Sequence, residues 1–146
     1  MYKIVRADER HRKDINRMIR GAWLGPGLSK DEPVQNFWVV KDKGVVIACA
    51  GMDFHNDAAI LTYIVVAEEY RHRGIGARLV AHRLNIARER GIKTVALATM
   101  YYRFNFYKKR GLHTCPRKNL PANIKEYPMF TDPRYMKCAV MWGRLK

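Results

Sequence analysis

Three consecutive stretches decide the fold of this chain: Ile60-Leu61-Thr62-Tyr63-Ile64-Val65-Val66, then Ala67-Glu68-Glu69-Tyr70, then Arg71-His72-Arg73-Gly74-Ile75-Gly76. The first is mostly β-branched or aromatic and carries no charge, which is typical of a strand buried on both faces in the middle of a sheet. From Ile75 the apolar residues recur with helical spacing, and Gly91 suits the helix end, where a left-handed residue is needed. The predicted apolar face of this helix consists of Ile75, Leu79, Val80, Leu84 and Ala87.

The turn before this helix suits an anion. The first N–H groups of a helix have no intrahelical partners and lie at its positive end, so a turn without side chains at Gly74 and Gly76 can close around a phosphate or pyrophosphate. Arg71 and Arg73 add mobile positive charge beside it. The alternative is a tight turn with a solvated basic face. The position between a buried strand and an amphipathic helix favours the anion site.

Residues 66–76, followed by Ala77-Arg78-Leu79-Val80, resemble the acetyl-coenzyme A signature of the GNAT superfamily of N-acetyltransferases. In that family an R/Q-x-x-G-x-G/A turn binds the coenzyme A pyrophosphate through main-chain amides. A second segment, Phe106-Tyr107-Lys108-Lys109-Arg110-Gly111-Leu112, resembles the family's aromatic-Tyr-x-x-x-Gly-aromatic segment. A shorter likeness, Leu120-Pro121-Ala122-Asn123-Ile124, is to a Leu-Pro-x-x-Ile/Val segment of acetyltransferases similar to N-acetylglutamate synthase.

The resemblance implies an α/β (α+β) fold of the GNAT type in a single domain over residues 1–146. The expected sheet is mixed and mostly antiparallel, with six to seven strands, helices on both faces and a central parallel pair that splays apart at the cofactor site. The sequence predicts strands over residues 2–6, 37–40, 45–51, 60–66, 94–98, 112–115 and 136–142. It also predicts a helix capped by Asp8, a helix over residues 99–110 and a long loop over residues 116–133.

The resemblance also implies a set of site residues. Acetyl-CoA is the expected cosubstrate, with no metal, and the residues expected to bind it are Ile64, Val65, Val66, Arg71, His72, Arg73, Gly74, Ile75, Gly76, Ala77 and Asn105. Tyr107 is the expected catalytic acid, since a phenol with a pKa of about 10 is protonated at neutral pH and can donate to a leaving thiolate. The alternative is a tyrosine packed beside Phe104 and Phe106.

The sequence does not decide the general base or the residues of the acceptor site. The expected oxyanion donor is a main-chain N–H near Val66. Asp53, His55 and a water chain are alternatives for the general base, whereas Glu68 and Glu69 are expected to be solvated. Trp23 and Leu24 either line the acceptor site or, for Trp23, pack in the core.

Composition bounds the class of protein. The 146 residues suit about one soluble globular domain. No apolar run reaches a membrane span of about 20 residues, so a cytoplasmic location without membrane contact is expected. Cys49, Cys115 and Cys138 lack zinc-ligand spacing and are expected to be small buried hydrophobic residues, with Cys115 the candidate for reactivity. The net charge of +15 favours anionic partners.

The predicted function is acetyl-CoA-dependent N-acetylation of a primary amine by direct transfer in a ternary complex. The acceptor is expected to be a small molecule, with an amino acid or another carboxylate-bearing amine favoured. A less favoured alternative is a catalytically weak GNAT-fold module that binds coenzyme A and nucleic acid. Its nucleic-acid contacts are expected from Arg71, Arg73, Arg78, Arg83, Arg88 and residues 108–110. A homodimer is left open.

Overall fold

The computed structural model describes residues 2–146, which form a seven-stranded sheet and four α-helices. The strands are β1 (Ile4–Arg6), β2 (Phe37–Asp42), β3 (Val45–His55), β4 (Ala58–Val66), β5 (Thr94–Thr99), β6 (His113–Cys115) and β7 (Ala139–Arg144). The helices are α1 (Arg12–Gly21), α2 (Ile75–Glu89), α3 (Phe104–Lys108) and α4 (Pro128–Thr131). The strand order is β1-β2-β3-β4-β5-β7-β6, which confirms the predicted number of strands and places β1 at one edge.

One parallel pair stands in a sheet that is otherwise mostly antiparallel, as predicted. β4 and β5 pair in parallel over residues 58–60 and 94–96. The parallel pairing covers these three residue pairs, while β4 extends to Val66 and β5 to Thr99. β7 pairs antiparallel with both β5 and β6, so the last strand is inserted beside β6 as predicted.

The β2–β3 hairpin closes through two residues. Lys43 and Gly44 have φ of 51° and 79°, the left-handed values that match the twist of a two-residue hairpin. The predicted four-residue turn is therefore too long, because Lys41 and Asp42 still pair with β3. Asp42 thus ends β2 on a rigid strand rather than in a flexible turn.

The chain divides into two compact units. The first consists of Met1–Met52 and Tyr63–Arg83, and the second of Asp53–Thr62 and Leu84–Lys146. The single domain over residues 1–146 stays a prediction. In the first unit, α1 packs its apolar side on strand residues. The buried members of this core are Ala7, Ile15, Ile19, Val34, Phe37, Val39, Val46, Cys49 and Val65.

The core of the second unit includes the segment that the sequence predicted to be a loop. Leu120, Ile124 and Phe130 are buried against residues of β4, β5 and β7. The segment also forms α4 and is held by the Arg117 guanidinium, which donates to the carbonyls of Phe130 and Tyr135 at 3.2 and 2.7 Å. The prediction of a loop over residues 116–133 was therefore wrong for Pro128–Thr131, which form α4, and the segment buries apolar side chains of its own.

Two helix boundaries also differ from the prediction. The expected helix over residues 99–110 is wrong in its first half: Thr99 ends β5, Tyr101–Arg103 form a 3-10 turn, and α3 covers only Phe104–Lys108. Asp8 caps the 3-10 turn Glu9–His11 rather than α1 itself, with its carboxylate accepting from the N–H of Arg10. Both differences shorten a helix at its N-terminal side.

Arg83 is buried on the apolar face of α2, with 1% of its surface exposed. Its Nη1 donates to the carbonyls of Gly51 at 2.6 Å and Tyr63 at 3.3 Å, and its Nε to the carbonyl of Leu79 at 3.3 Å. The expectation that Arg83 contacts nucleic acid is therefore wrong. Its guanidinium instead ties α2 to backbone carbonyls of β3 and β4.

Arg83→Ala is expected to destabilise the protein by about 3 kcal/mol, because it leaves a cavity and removes the donors of buried carbonyls. Arg88→Ala, on the exposed face of the same helix, is the matched control and is expected to change the free energy of unfolding by less than about 0.5 kcal/mol. Urea unfolding measures both. Equal stability of the two variants would contradict the structural role of Arg83.

Candidate functional site

The chain bends sharply between β4 and α2. Glu68–Tyr70 form a 3-10 turn, and His72 and Gly74 then adopt left-handed φ of 66° and 79°. Glycine reaches such a φ without strain, whereas a non-glycine residue does so uncommonly. Two left-handed residues on either side of Arg73 therefore fix the direction of the chain just before the helix begins.

The first turn of α2 presents bare amides. The N–H of Arg78 donates to the Gly74 carbonyl at 3.0 Å, so the helical ladder starts there. The N–H groups of Ile75, Gly76 and Ala77 come before the ladder and have no acceptor within the helix. They lie at the positive end of the dipole of a 15-residue helix. This arrangement fits a phosphate or pyrophosphate.

Gly76 is not required by the packing of the protein. A Cβ built at this position would lie 3.8 Å from Ile64 Cδ1 and 4.0 Å from Val66 Cγ2, which is ordinary van der Waals contact. Gly76 lies within α2, where glycine costs stability relative to alanine. The missing side chain therefore suits the close approach of another molecule to the backbone, and the residues present fit the expected cosubstrate.

The strand residues predicted for the site differ in exposure. Ile64 and Val66 are half-buried and stand beside Gly76, whereas Val65 is buried in the core of the first unit. Val65 can therefore offer a ligand only its backbone groups. The structure brings together in the first unit every predicted cosubstrate-binding residue except Asn105.

The two arginines of the turn are anchored rather than mobile, so that expectation was wrong. Arg71 Nε donates to the Val66 carbonyl at 3.1 Å. Arg73 Nη1 donates to the Tyr2 hydroxyl at 3.0 Å, and its guanidinium lies over the Tyr70 ring. Both side chains are exposed, so each presents charge to solvent in a defined direction.

Tyr107 and Asn105 lie on α3 in the second unit. Tyr107 is 4% exposed and meets the Phe106 ring edge-on at 5.1 Å, whereas Asn105 is exposed. Within residues 2–146, neither the Tyr107 hydroxyl nor the Asn105 side chain has a hydrogen-bond partner. The Tyr107 hydroxyl is thus free to donate a hydrogen bond, while packing of the ring fixes its position.

The candidate bases lie in different surroundings. Asp53 Oδ2 accepts from the Tyr127 hydroxyl at 2.7 Å and Oδ1 from the N–H of Phe54 at 2.8 Å, while His55 meets the Tyr127 ring edge-on. Glu68 and Glu69 are exposed, as expected. Asp53 and His55 therefore fasten the segment that contains Tyr127 within the second unit.

Sequence reasoning missed a strained tryptophan after α1. Trp23 is 93% exposed, so the alternative of core packing was wrong, and its φ is 60°. The N–H groups of Trp23 and Leu24 donate to the carbonyls of Arg20 and Ile19, which is the pairing of a Schellman cap. Glycine usually holds this position, so no signal in the sequence marked it.

Two of the three cysteines are poor nucleophiles. Burial raises the pKa of Cys49 to about 12, and burial also raises the pKa of Cys115. Because the thiolate is the reactive form, both remain protonated at neutral pH. The raised pKa argues against the expected reactivity of Cys115. All three cysteines are free; Cys49 is buried as expected, whereas Cys115 and Cys138 are only half-buried.

Residues 1–112 match the model of the Acetyltransferase (GNAT) family. The chain belongs to this family. An uncharacterised N-acetyltransferase of Chlorobaculum tepidum is 30% identical to this chain over 118 residues. The matched part is 75% of this chain and 74% of that protein. A probable N-acetyltransferase of Xenopus tropicalis, named camello, is 31% identical over 105 residues, which are 68% of this chain and 48% of that protein. The chain thus spans about half the length of that relative.

Two further comparisons concern acceptors that are amino acids. The amino-acid acetyltransferase of Pseudomonas fluorescens is 32% identical over 94 residues, 63% of this chain and 22% of that protein. The N-acetylglutamate synthase of Neisseria gonorrhoeae, solved with coenzyme A and N-acetyl-glutamate, has a TM-score of 0.77 at 19% identity, over 100% of this chain and 35% of that one. The structural match confirms the GNAT fold. Among the described residues, no helix has the length and apolar character to cross a membrane.

Trp23→Gly is expected to stabilise the protein by about 1 kcal/mol, because glycine removes the left-handed strain from an exposed residue. Trp23→Ala is the matched control: it also removes the indole but keeps a Cβ in the left-handed region, so it is expected to leave stability nearly unchanged. Thermal unfolding distinguishes the two. A stabilisation that is equal in both variants would show that exposure of the ring, and not the backbone, was unfavourable.

Proposed function

We propose that this chain is an acetyl-CoA-dependent N-acetyltransferase that acetylates a primary amine directly in a ternary complex. The observation that carries the proposal is the glycine at Gly76, which the packing does not require and which leaves bare amides open at the start of α2. Because the chain belongs to a family of acetyltransferases, acetyl-CoA is the ligand that we propose for these amides.

Within this proposal the cosubstrate is held mainly by main-chain groups. The amides of Ile75, Gly76 and Ala77 bind the pyrophosphate, with His72 and Gly74 shaping the turn and Arg71 and Arg73 adding charge. Main-chain groups of Ile64, Val65 and Val66 hydrogen-bond the pantetheine arm as an added strand does. Asn105 adds a side-chain contact from α3.

Acetyl-CoA supplies the acetyl group as a thioester. During transfer the nitrogen of the acceptor loses one proton and the departing sulfur gains one. Tyr107 holds a proton at Oη for the sulfur, and its free hydroxyl and packed ring support this role. A main-chain N–H near Val66 stabilises the charge that develops on the carbonyl oxygen.

Direct transfer is supported by the state of the thiols. A covalent acetyl-enzyme needs a nucleophile that is deprotonated or has a neighbouring base. Burial holds the pKa of Cys49 near about 12 and raises the pKa of Cys115, so neither offers a thiolate. The proposal therefore uses direct attack by the acceptor amine and assigns neither of these two thiols a covalent role.

The proposed acceptor is an amino acid or a related amine with a carboxylate. Support comes from the names of the Pseudomonas relative and the Neisseria structure, and from the net charge of +15. The Leu120 and Ile124 side chains of the shared Leu-Pro segment are buried in the core of the second unit, so their likeness supports the fold of that segment. A panel of amino acids assayed for free thiol released from acetyl-CoA tests the acceptor.

Gly76→Ala is expected to separate stability from binding. The methyl group fits the fold and favours the helix, so the free energy of unfolding rises by about 0.5 kcal/mol. The same methyl group obstructs the amides, so acetyl-CoA binds about tenfold more weakly through the loss of charge-assisted hydrogen bonds.

Gly21→Ala is the matched control for Gly76→Ala, since Gly21 also lies in a helix with nothing within 4 Å of a built Cβ. It is expected to raise stability in the same way and leave binding unchanged. Calorimetric titration and urea unfolding measure both quantities. Undiminished binding by Gly76→Ala would remove this turn from the proposed cosubstrate site.

Tyr107→Phe is expected to lower kcat by about a hundredfold while the Kd for acetyl-CoA stays within about twofold, because the ring still packs and only the proton is lost. Tyr102→Phe, at a tyrosine that is 67% exposed on the preceding 3-10 turn, is the control and should leave both values unchanged. Thiol release gives kcat. An unaltered kcat for Tyr107→Phe would exclude Tyr107 as the acid.

A further inference from the structure

The Arg73 side chain is supported by two tyrosines from distant parts of the chain. Its Nη1 donates to the Tyr2 hydroxyl at 3.0 Å, and its guanidinium carbon lies 5.0 Å from the centroid of the Tyr70 ring. The two rings meet edge-on at 5.7 Å. Tyr2 and Tyr70 thus contact the Arg73 guanidinium from two sides, although the Arg73 side chain is exposed.

Tyr70 is itself fixed by a carboxylate. Its hydroxyl donates to Asp42 Oδ2 at 2.6 Å, which raises the pKa of the Tyr70 phenol above its ordinary value and keeps it a donor. Donation to an anion makes the ring more electron-rich, and an electron-rich face attracts a cation more strongly. Because Asp42 ends β2 next to a two-residue turn, this anchor is rigid.

The backbone also constrains Arg73. It stands between His72 and Gly74, which have φ of 66° and 79°. A left-handed histidine is uncommon, and strain of this kind accumulates at functional sites. Within residues 2–146, Nε and Nη2 of Arg73 have no acceptor, so they are available to a ligand.

We propose that Tyr2, Tyr70 and Asp42 position Arg73 to bind a phosphate group of acetyl-CoA. This inference rests on the proposed function and adds three positioning residues to it. A guanidinium presents N–H groups in a fixed plane and pairs with phosphate oxygens through two bonds at once. Holding it in advance lowers the entropy lost on binding, since a free arginine must give up its rotamer freedom.

The test is a double-mutant cycle on acetyl-CoA binding, measured by calorimetric titration of the full chain. Tyr2→Phe and Tyr70→Phe each remove one oxygen, and each is made with Arg73 present and in an Arg73→Gln background. Arg73→Gln is expected to weaken binding about tenfold, and each tyrosine variant about threefold with Arg73 present and not at all without it. Tyr135→Phe, beside the Arg134 guanidinium in the second unit, is the control and leaves binding unchanged.

A second substrate distinguishes the loss of Arg73 positioning from a general disturbance of the protein structure. S-acetylpantetheine carries the thioester without the pyrophosphate and nucleotide, so its kcat/KM is expected to be the same in the unmodified chain, the three single variants and the two double variants. If a tyrosine variant weakens acetyl-CoA binding equally with and without Arg73, or does not weaken it at all, the positioning role is overturned. The proposed function still stands in that case, provided that the unmodified chain binds acetyl-CoA. No binding by the unmodified chain would overturn the function and this inference together. If Tyr70→Phe unfolds, Tyr2→Phe alone decides the cycle.

Discussion

The first turn of α2 is the constraint on which the rest of the site depends. Gly74 is left-handed where the chain leaves the 3-10 turn and enters the helix, and the amides of residues 75–77 that follow it precede the first helical hydrogen bond. Ile64 and Val66 of β4 stand beside Gly76 without filling its missing side chain. The site is therefore made of backbone geometry, and the side chains around it adjust charge and direction.

The buried Arg83 explains how that geometry is held. Its guanidinium joins the carbonyls of Gly51 and Tyr63, on β3 and β4, to the Leu79 carbonyl of α2. A hydrocarbon side chain at this position would pack but would leave those carbonyls without these donors. The same cation lies close enough to Cys49 to lower its pKa slightly against the larger effect of burial. One side chain thus fixes the helix against the strand from which the turn emerges.

The sequence predicted what local patterns control and failed where distant partners decide. The seven strands, the length of α2 and its end at Gly91 follow from apolar period and glycine. The helix start at Thr99 was wrong because Thr99 pairs with Ala139, 40 positions later, in β7. The expectation that Arg83 contacts nucleic acid was wrong because it assumes an exposed side chain, whereas Arg83 lies between Leu79 and Ala87 on the apolar stripe of α2. Trp23 is left-handed because it occupies the helix-cap position that glycine usually holds, and a tryptophan at that position does not indicate a cap.

The high arginine content has a structural explanation that the net charge alone does not show. Arginine side chains donate to backbone carbonyls in turns, loops and short helices: Arg6 to Gln35, Arg12 to Ser29 and Glu32, Arg20 to Pro26, Arg110 to Phe106, and Arg117 to Phe130 and Tyr135. The Ser29 and Tyr135 carbonyls also accept a backbone N–H, from Glu32 and Cys138, so there the arginine adds a second hydrogen bond. Much of the positive charge therefore serves the fold, and the inference from +15 to a polyanionic partner is weaker than composition implies. Arg73 differs from these arginines because its acceptor is a hydroxyl and its remaining donors face solvent.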